Sequence, residues 1–121
     1  MKKTITIGGR DLEFEANLGT SELYQILTGE NLFEILTSFR GVTKEDGRVY
    51  SLLDVYKRLM FVMNVQATET EVKAMRAKMN DDSFLEWTFG FEQDDLTNET
   101  VRDIVELWQS SRKTHSTPKN L

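Results

Sequence analysis

Near its start the chain alternates between polar and apolar residues. Thr4-Ile5-Thr6-Ile7 forms one such run, and Leu12, Phe14 and Ala16 mark a second, with Gly8-Gly9 between them. Period-two alternation predicts strands, and Gly-Gly supplies the positive φ angles of a two-residue hairpin turn. The expectation is a β-hairpin over residues 3–16 with Ile5, Ile7, Leu12 and Phe14 on its buried face. A lone hairpin is marginal in water, so this one must dock on another element.

From residue 20 onward the apolar period becomes helical. Thr20 or Ser21 is expected to cap a first helix carrying Leu23, Ile26 and Leu27, with Gly29 as its stop. Asn31, three residues before Glu34, predicts a second capped start with Leu32, Ile35, Leu36 and Phe39 on one face. Gly41 to Arg48 reads as a loop. Ser51 with Asp54 is expected to open a third helix, in which Leu52, Val55, Tyr56, Leu59, Met60 and Met63 recur at helical spacing. Leu53 and Val62 widen that arc, which marks a central helix. Thr68 with Glu71 and Ser83 with Glu86 predict two more capped starts. The first leads to Val72, Met75 and Met79, the second to Phe84-Leu85-Glu86-Trp87. Thr97 is expected to cap a last helix with the stripe Val101, Ile104, Val105 and Trp108. Residues 110–121 are polar, hold the single proline and show no apolar period, which predicts a flexible tail after a domain of residues 1–109. The expected fold class is α+β: a hairpin followed by a bundle of five or six helices.

A chain of 121 residues fits one domain. With 39% hydrophobic and 29% charged residues it has a globular composition. The formal net charge of -5, without a basic patch to override it, disfavours phosphate backbones and so a nucleic-acid binder. The lack of cysteine excludes disulfides, thiolate chemistry and cysteine zinc sites. Leu59-Met60-Phe61-Val62-Met63 is the longest apolar stretch and is far too short for a bilayer. No apolar h-region follows Lys2-Lys3, so no signal peptide is expected.

The chain holds few residues arranged for chemistry. The single histidine, His115, lies in the polar tail, where no packed shell would hold a catalytic geometry. Asp81 to Glu92 has the length of an EF-hand loop, but its sixth position is Glu86 instead of glycine and its fifth is Leu85 instead of a ligand. Ile7-Gly8-Gly9-Arg10 lacks the later glycines and the lysine of a phosphate loop. The expectation is a non-enzymatic protein without cofactor or metal. Phe84, Trp87 and Phe91 share one helical face, with Phe89 off it. They are either core, as large aromatics commonly are, or a partner-binding patch. Met60, Met63, Met75 and Met79 pose the same alternative between core filling and an adaptable groove.

The order of segments resembles the tail assembly chaperones of siphophages and related prophages. The likeness begins with Ile5-Thr6-Ile7-Gly8-Gly9 and Phe14-Glu15-Ala16-Asn17-Leu18-Gly19-Thr20, and continues with Glu30-Asn31-Leu32-Phe33-Glu34-Ile35-Leu36. Near the end it rests on Phe84-Leu85-Glu86-Trp87, Val105-Glu106-Leu107-Trp108-Gln109-Ser110-Ser111, Lys113-Thr114 and Pro118-Lys119. The family's tryptophan-containing middle helix is replaced here by Leu59-Met60-Phe61-Val62-Met63. The resemblance implies a protein that binds the tape measure protein, keeps it soluble and helps recruit the major tail protein. It also implies self-association in multimers, residence in the cytoplasm of the bacterial host and absence from the mature virion. Many such proteins are made in two lengths by a programmed ribosomal frameshift. Pro118-Lys119-Asn120 can be encoded by a slippery heptamer, which would make this chain the shorter product. The competing expectation is a small acidic regulatory or inhibitor protein with one folded partner.

Overall fold

The structure is a computed structural model and describes residues 1–38 and 48–116. Strands β1 (Lys2–Ile7) and β2 (Arg10–Glu15) pair antiparallel with Ile5 opposite Leu12 and Lys3 opposite Phe14. Gly8 and Gly9 take φ of 60° and 80°, the two left-handed residues of a turn whose twist matches the strands. Ile5, Ile7 and Phe14 are buried and Leu12 is half-buried, all packed on the helical core.

Six α-helices follow among the described residues: α1 (Leu18–Thr28), α2 (Leu32–Ser38), α3 (Arg48–Thr68), α4 (Val72–Ala77), α5 (Asp81–Thr88) and α6 (Asn98–Ser116), with a 3-10 turn at Gln93–Asp95. This is the α+β architecture expected. None of the described helices is long and apolar enough to cross a membrane.

The central helix is α3, which touches β2, α1, α5 and α6. Leu59, Met60, Phe61, Val62 and Met63 are all buried. Five consecutive residues exceed the 3.6 residues of one turn, so this segment is covered on every side. The methionines Met60, Met63 and Met79 belong to this core and Met75 packs against it.

Several helix starts differ from the expectation. The N-cap of α1 is Asn17, not Thr20 or Ser21; its Oδ1 accepts from Gly19 N at 2.9 Å. Thr20 lies one turn inside and is fully buried. Its hydroxyl accepts from Asn17 N at 3.0 Å and donates to Gln66 Oε1 at 2.6 Å, while Gln66 Nε2 donates to Asn17 Oδ1 at 3.0 Å. This closed network ties the start of α1 to α3, and a long-range partner of that kind leaves no local trace. Arg48 already belongs to α3, so Ser51 is not its cap. Thr68 ends α3, its hydroxyl donating to the Asn64 carbonyl at 2.9 Å, and α4 begins after Glu71 without a side-chain cap. Asn80, not Ser83, caps α5 by accepting from Ser83 N at 2.8 Å.

The caps at Asn31 and Thr97 and the stop at Gly29 occur as expected. Asn31 Oδ1 accepts from Glu34 N at 3.0 Å, Thr97 Oγ1 accepts from Thr100 N at 3.1 Å, and Gly29 is left-handed at φ 78°. Some faces are rotated from those expected: Tyr24 replaces Ile26 in the α1 core, Leu107 joins Ile104 and Trp108 in α6, and Val72 is exposed. The backbone of α6 runs on to Ser116, so residues 110–116 extend the helix instead of opening a tail. Ser111, one turn beyond Trp108, is buried, and its hydroxyl donates to the Trp108 carbonyl at 2.8 Å within the helix. Phe39, the loop from Gly41 and residues 117–121 lie outside the described residues.

Burial, followed by the nearby carboxylate of Glu30, pushes the Tyr24 phenol from its ordinary 10.0 up to about 12. The folded state therefore holds this proton more tightly than the unfolded chain. The associated stability is complete below pH 10 and is lost progressively as pH rises towards 12. Burial raises Tyr56 in the same direction. A Tyr24→Phe variant is expected to lose less stability between pH 9 and 11 than the parent, as read from urea midpoints; equal losses would place the effect elsewhere.

Candidate partner-binding groove

Helix α5 is short, and its cap and the two acidic residues Asp81 and Asp82 stabilise its first turn. It presents Phe84 and Trp87 towards α3, where Phe61 receives both. The Phe61 ring lies 5.6 Å from Phe84 and 5.5 Å from Trp87, near edge-on in each case. Phe84 and Trp87 stack at 6.4 Å, and Trp87 meets Phe91 at 4.8 Å. These separations lie in the favourable range for aromatic pairs. Asn64 completes the junction: its Oδ1 accepts from Trp87 Nε1 at 3.1 Å, and its Nδ2 donates to the Glu13 carbonyl of β2 at 2.9 Å.

Two arginines extend the cluster. The Arg58 guanidinium sits 4.5 Å over the Phe84 ring and that of Arg10 4.9 Å over Phe91. Arg10 also donates to the Gly90 carbonyl at 2.6 Å. The hairpin turn approaches Asp95 so closely that a Cβ on Gly8 would stand 2.5 Å from Asp95 Oδ2. The same carboxylate accepts from Glu92 N at 2.8 Å. The hairpin therefore fixes the segment following α5 as well as packing on the core.

These elements enclose an open groove of about 530 Å³. Met60, Phe84, Trp87, Phe91, Ile7 and Leu96 supply apolar surface, with Leu53 and Leu85 at its margin. Lys57, Arg58 and Asp54 from α3, and Glu92, Gln93 and Asp95 after α5, supply the polar part. The structure thus brings Phe84, Trp87 and Phe91 together, but as a half-sunken wall and not as an exposed patch. Phe84 is buried and Trp87 half-buried, because Phe61 and Asn64 draw them onto α3; Phe91 is also half-buried but lies past the end of α5 at Thr88, off the helical face expected of it, and packs on Trp87 beneath Arg10. Leu53 and Leu85, 39% and 53% exposed, are the apolar residues that a partner would cover. Leu53 widens the apolar arc of α3 and Leu85 belongs to the expected helix Phe84-Leu85-Glu86-Trp87; exposed apolar residues at helix spacing look like core until the neighbours are known. Phe89 is 76% exposed at the end of α5, outside the groove lining.

The described lining offers apolar contact and charge. Among the described residues no group of three or more His, Asp or Glu is placed to hold a metal ion. Asp81, the first residue of the EF-hand-length stretch, starts helix α5. His115 falls in the backbone of α6.

An Asn64→Leu variant is expected to lose about 1–3 kcal/mol of stability, the cost of leaving a half-buried indole N–H and a strand carbonyl without their partner. Urea denaturation followed by tryptophan fluorescence reads it; an unchanged midpoint would mean that water replaces both bonds at no cost.

Compared with protein-family models, with curated proteins and with solved structures, the chain matches none of them.

Proposed function

We propose that this chain is a tail assembly chaperone that binds the tape measure protein through the groove between α3 and α5. The observation that carries the reading is the groove itself, whose apolar surface continues outward onto exposed Leu53 and Leu85. A tape measure chain is a long helical polymer with apolar stripes. A groove of this kind receives the stripe of an amphipathic helix, reading anchors at i, i+3, i+4 and i+7. Each contact is shallow, so affinity along the polymer comes from many copies bound at once and release remains easy. The resemblance in segment order supports the same reading. Recruitment of the major tail protein through a longer frameshift product, action in the host cytoplasm and absence from the mature virion belong to the same proposal. The residues behind the frameshift, Pro118, Lys119 and Asn120, lie outside the described part of the chain. Unslippery codons there, or no overlapping downstream frame, would remove that component.

Co-expression with the tape measure protein encoded downstream, followed by sizing of the soluble fraction, tests the proposal. The expected result is a soluble complex with many copies of this chain on each tape measure protein. A tape measure protein that stays insoluble, with this chain eluting alone, would overturn it. A one-to-one complex with a single folded partner would instead favour a small acidic regulator.

A further inference from the structure

The charges that line the groove are sorted by element. Lys57 and Arg58 come from α3, whereas Glu92 and Asp95 come from the segment after α5. Asp54 offsets one α3 cation, its carboxylate lying 3.9 Å from Lys57 Nζ. Arg58 is held in place by the Phe84 ring beneath it and by donation to the Asp54 carbonyl at 3.4 Å. One margin is therefore net positive and carries a pre-positioned guanidinium, while the other is net negative. Glu92 is exposed and Asp95 half-exposed; each carboxylate accepts from the other's backbone N–H across the 3-10 turn and retains lone pairs for a partner cation, and Arg10, over Phe91 nearby, offsets only one of the two charges.

From this segregation we infer that the groove selects an amphipathic helix of one charge arrangement: carboxylates along one edge of the apolar stripe and lysine or arginine along the other. The inference deepens the chaperone reading, on which the helical character of the occupant rests. A helix with carboxylates on both edges meets Glu92 and Asp95 with like charge. A helix with cations on both edges meets Arg58 and Lys57. Only the mixed helix is complementary at both margins, and complementarity of this kind sets partner choice and register more than raw affinity. It also fixes direction, because turning the helix end for end exchanges its two edges.

The test uses three labelled helical peptides with an identical apolar stripe and edges that are both acidic, both basic, or one of each. Fluorescence anisotropy against the full chain gives the three dissociation constants. The mixed peptide is expected to bind about five-fold tighter than either of the others, the effect of roughly two solvent-screened ion pairs. Lys57→Glu makes the α3 margin net negative and is expected to shift the preference to the doubly basic peptide. The Lys57 side chain is 43% exposed, so this variant keeps the fold, which circular dichroism verifies. Raising the salt concentration is expected to level the three affinities. Equal affinities at low salt, no binding by any peptide, or an unchanged ranking in Lys57→Glu would overturn the inference. If the tape measure protein is solubilised while the peptides remain unranked, the chaperone reading stands and the charge inference falls. If the peptides rank as expected while the tape measure protein stays insoluble, the reverse holds.

Discussion

Replacing Phe61 with alanine is expected to cost about 3–5 kcal/mol of stability, the range for truncating a large buried aromatic. The side chain is 2% exposed and is the ring on which both Phe84 and Trp87 rest. Its removal opens a cavity beneath α5 and releases two edge-on ring contacts together. Helix α5 has only eight residues, too few to persist without tertiary packing. The loss should therefore appear locally as well as globally, as faster amide exchange in α5 than in α1 or β2. Since a domain is commonly stable by only about 5–15 kcal/mol, the variant should retain little margin. Urea denaturation measures the total, and hydrogen exchange measures its distribution. A loss below about 1 kcal/mol, or uniform exchange throughout, would show that α5 is not held through Phe61.

The largest effect on binding should come from residues that contribute little to the fold. Leu53→Glu combined with Leu85→Glu places two charges on the exposed apolar margin of the groove while leaving the buried ring cluster in place. Stability should change by no more than about 1 kcal/mol, the sum for two surface sites. On the proposed chaperone function, solubilisation of the tape measure protein should be lost: two anchors worth about 1–2 kcal/mol each correspond to a roughly 30–1,000-fold fall in affinity at a single site, and multivalent loading amplifies it. The co-expression and sizing experiment reads this directly. A folded double variant that still solubilises the tape measure protein would move the contact surface away from the groove. A Phe61→Ala variant alone cannot make that distinction, because it weakens fold and groove together.

The hairpin was legible because its information is local. Alternation fixes which side chains share a face, and Gly8-Gly9 fixes the turn, whose left-handed φ values other residues rarely adopt. The Asn31 and Thr97 caps and the Gly29 stop are legible for the same reason: each bond joins residues a few positions apart. The misplaced starts of α1 and α5 have a common cause. Several polar residues within one turn can each cap a helix, and the choice at α1 is tied to Gln66, which lies 46 residues away in sequence from Thr20. The extension of α6 beyond Trp108 was illegible in a polar sequence, because one buried serine gives no apolar period.

By itself, then, the sequence determined the hairpin, the α+β class, the helical character of the rest and the central place of the Leu59–Met63 run, since periodicity and turn chemistry are properties of neighbouring residues. Only the tertiary structure decided which aromatic residues are buried. Phe84 and Trp87 share a face of α5 that Phe61 and Asn64 on α3 turn inward, and Phe91, beyond the end of α5, joins them through Trp87, which leaves Leu53 and Leu85 outside. The groove likewise depends on long-range packing, with Arg10 of the hairpin bonded to Gly90 and the turn at Gly8 lying against Asp95 in the segment beyond α5. Contacts between residues some 80 positions apart depend on how whole elements pack, and no local pattern in the chain encodes them.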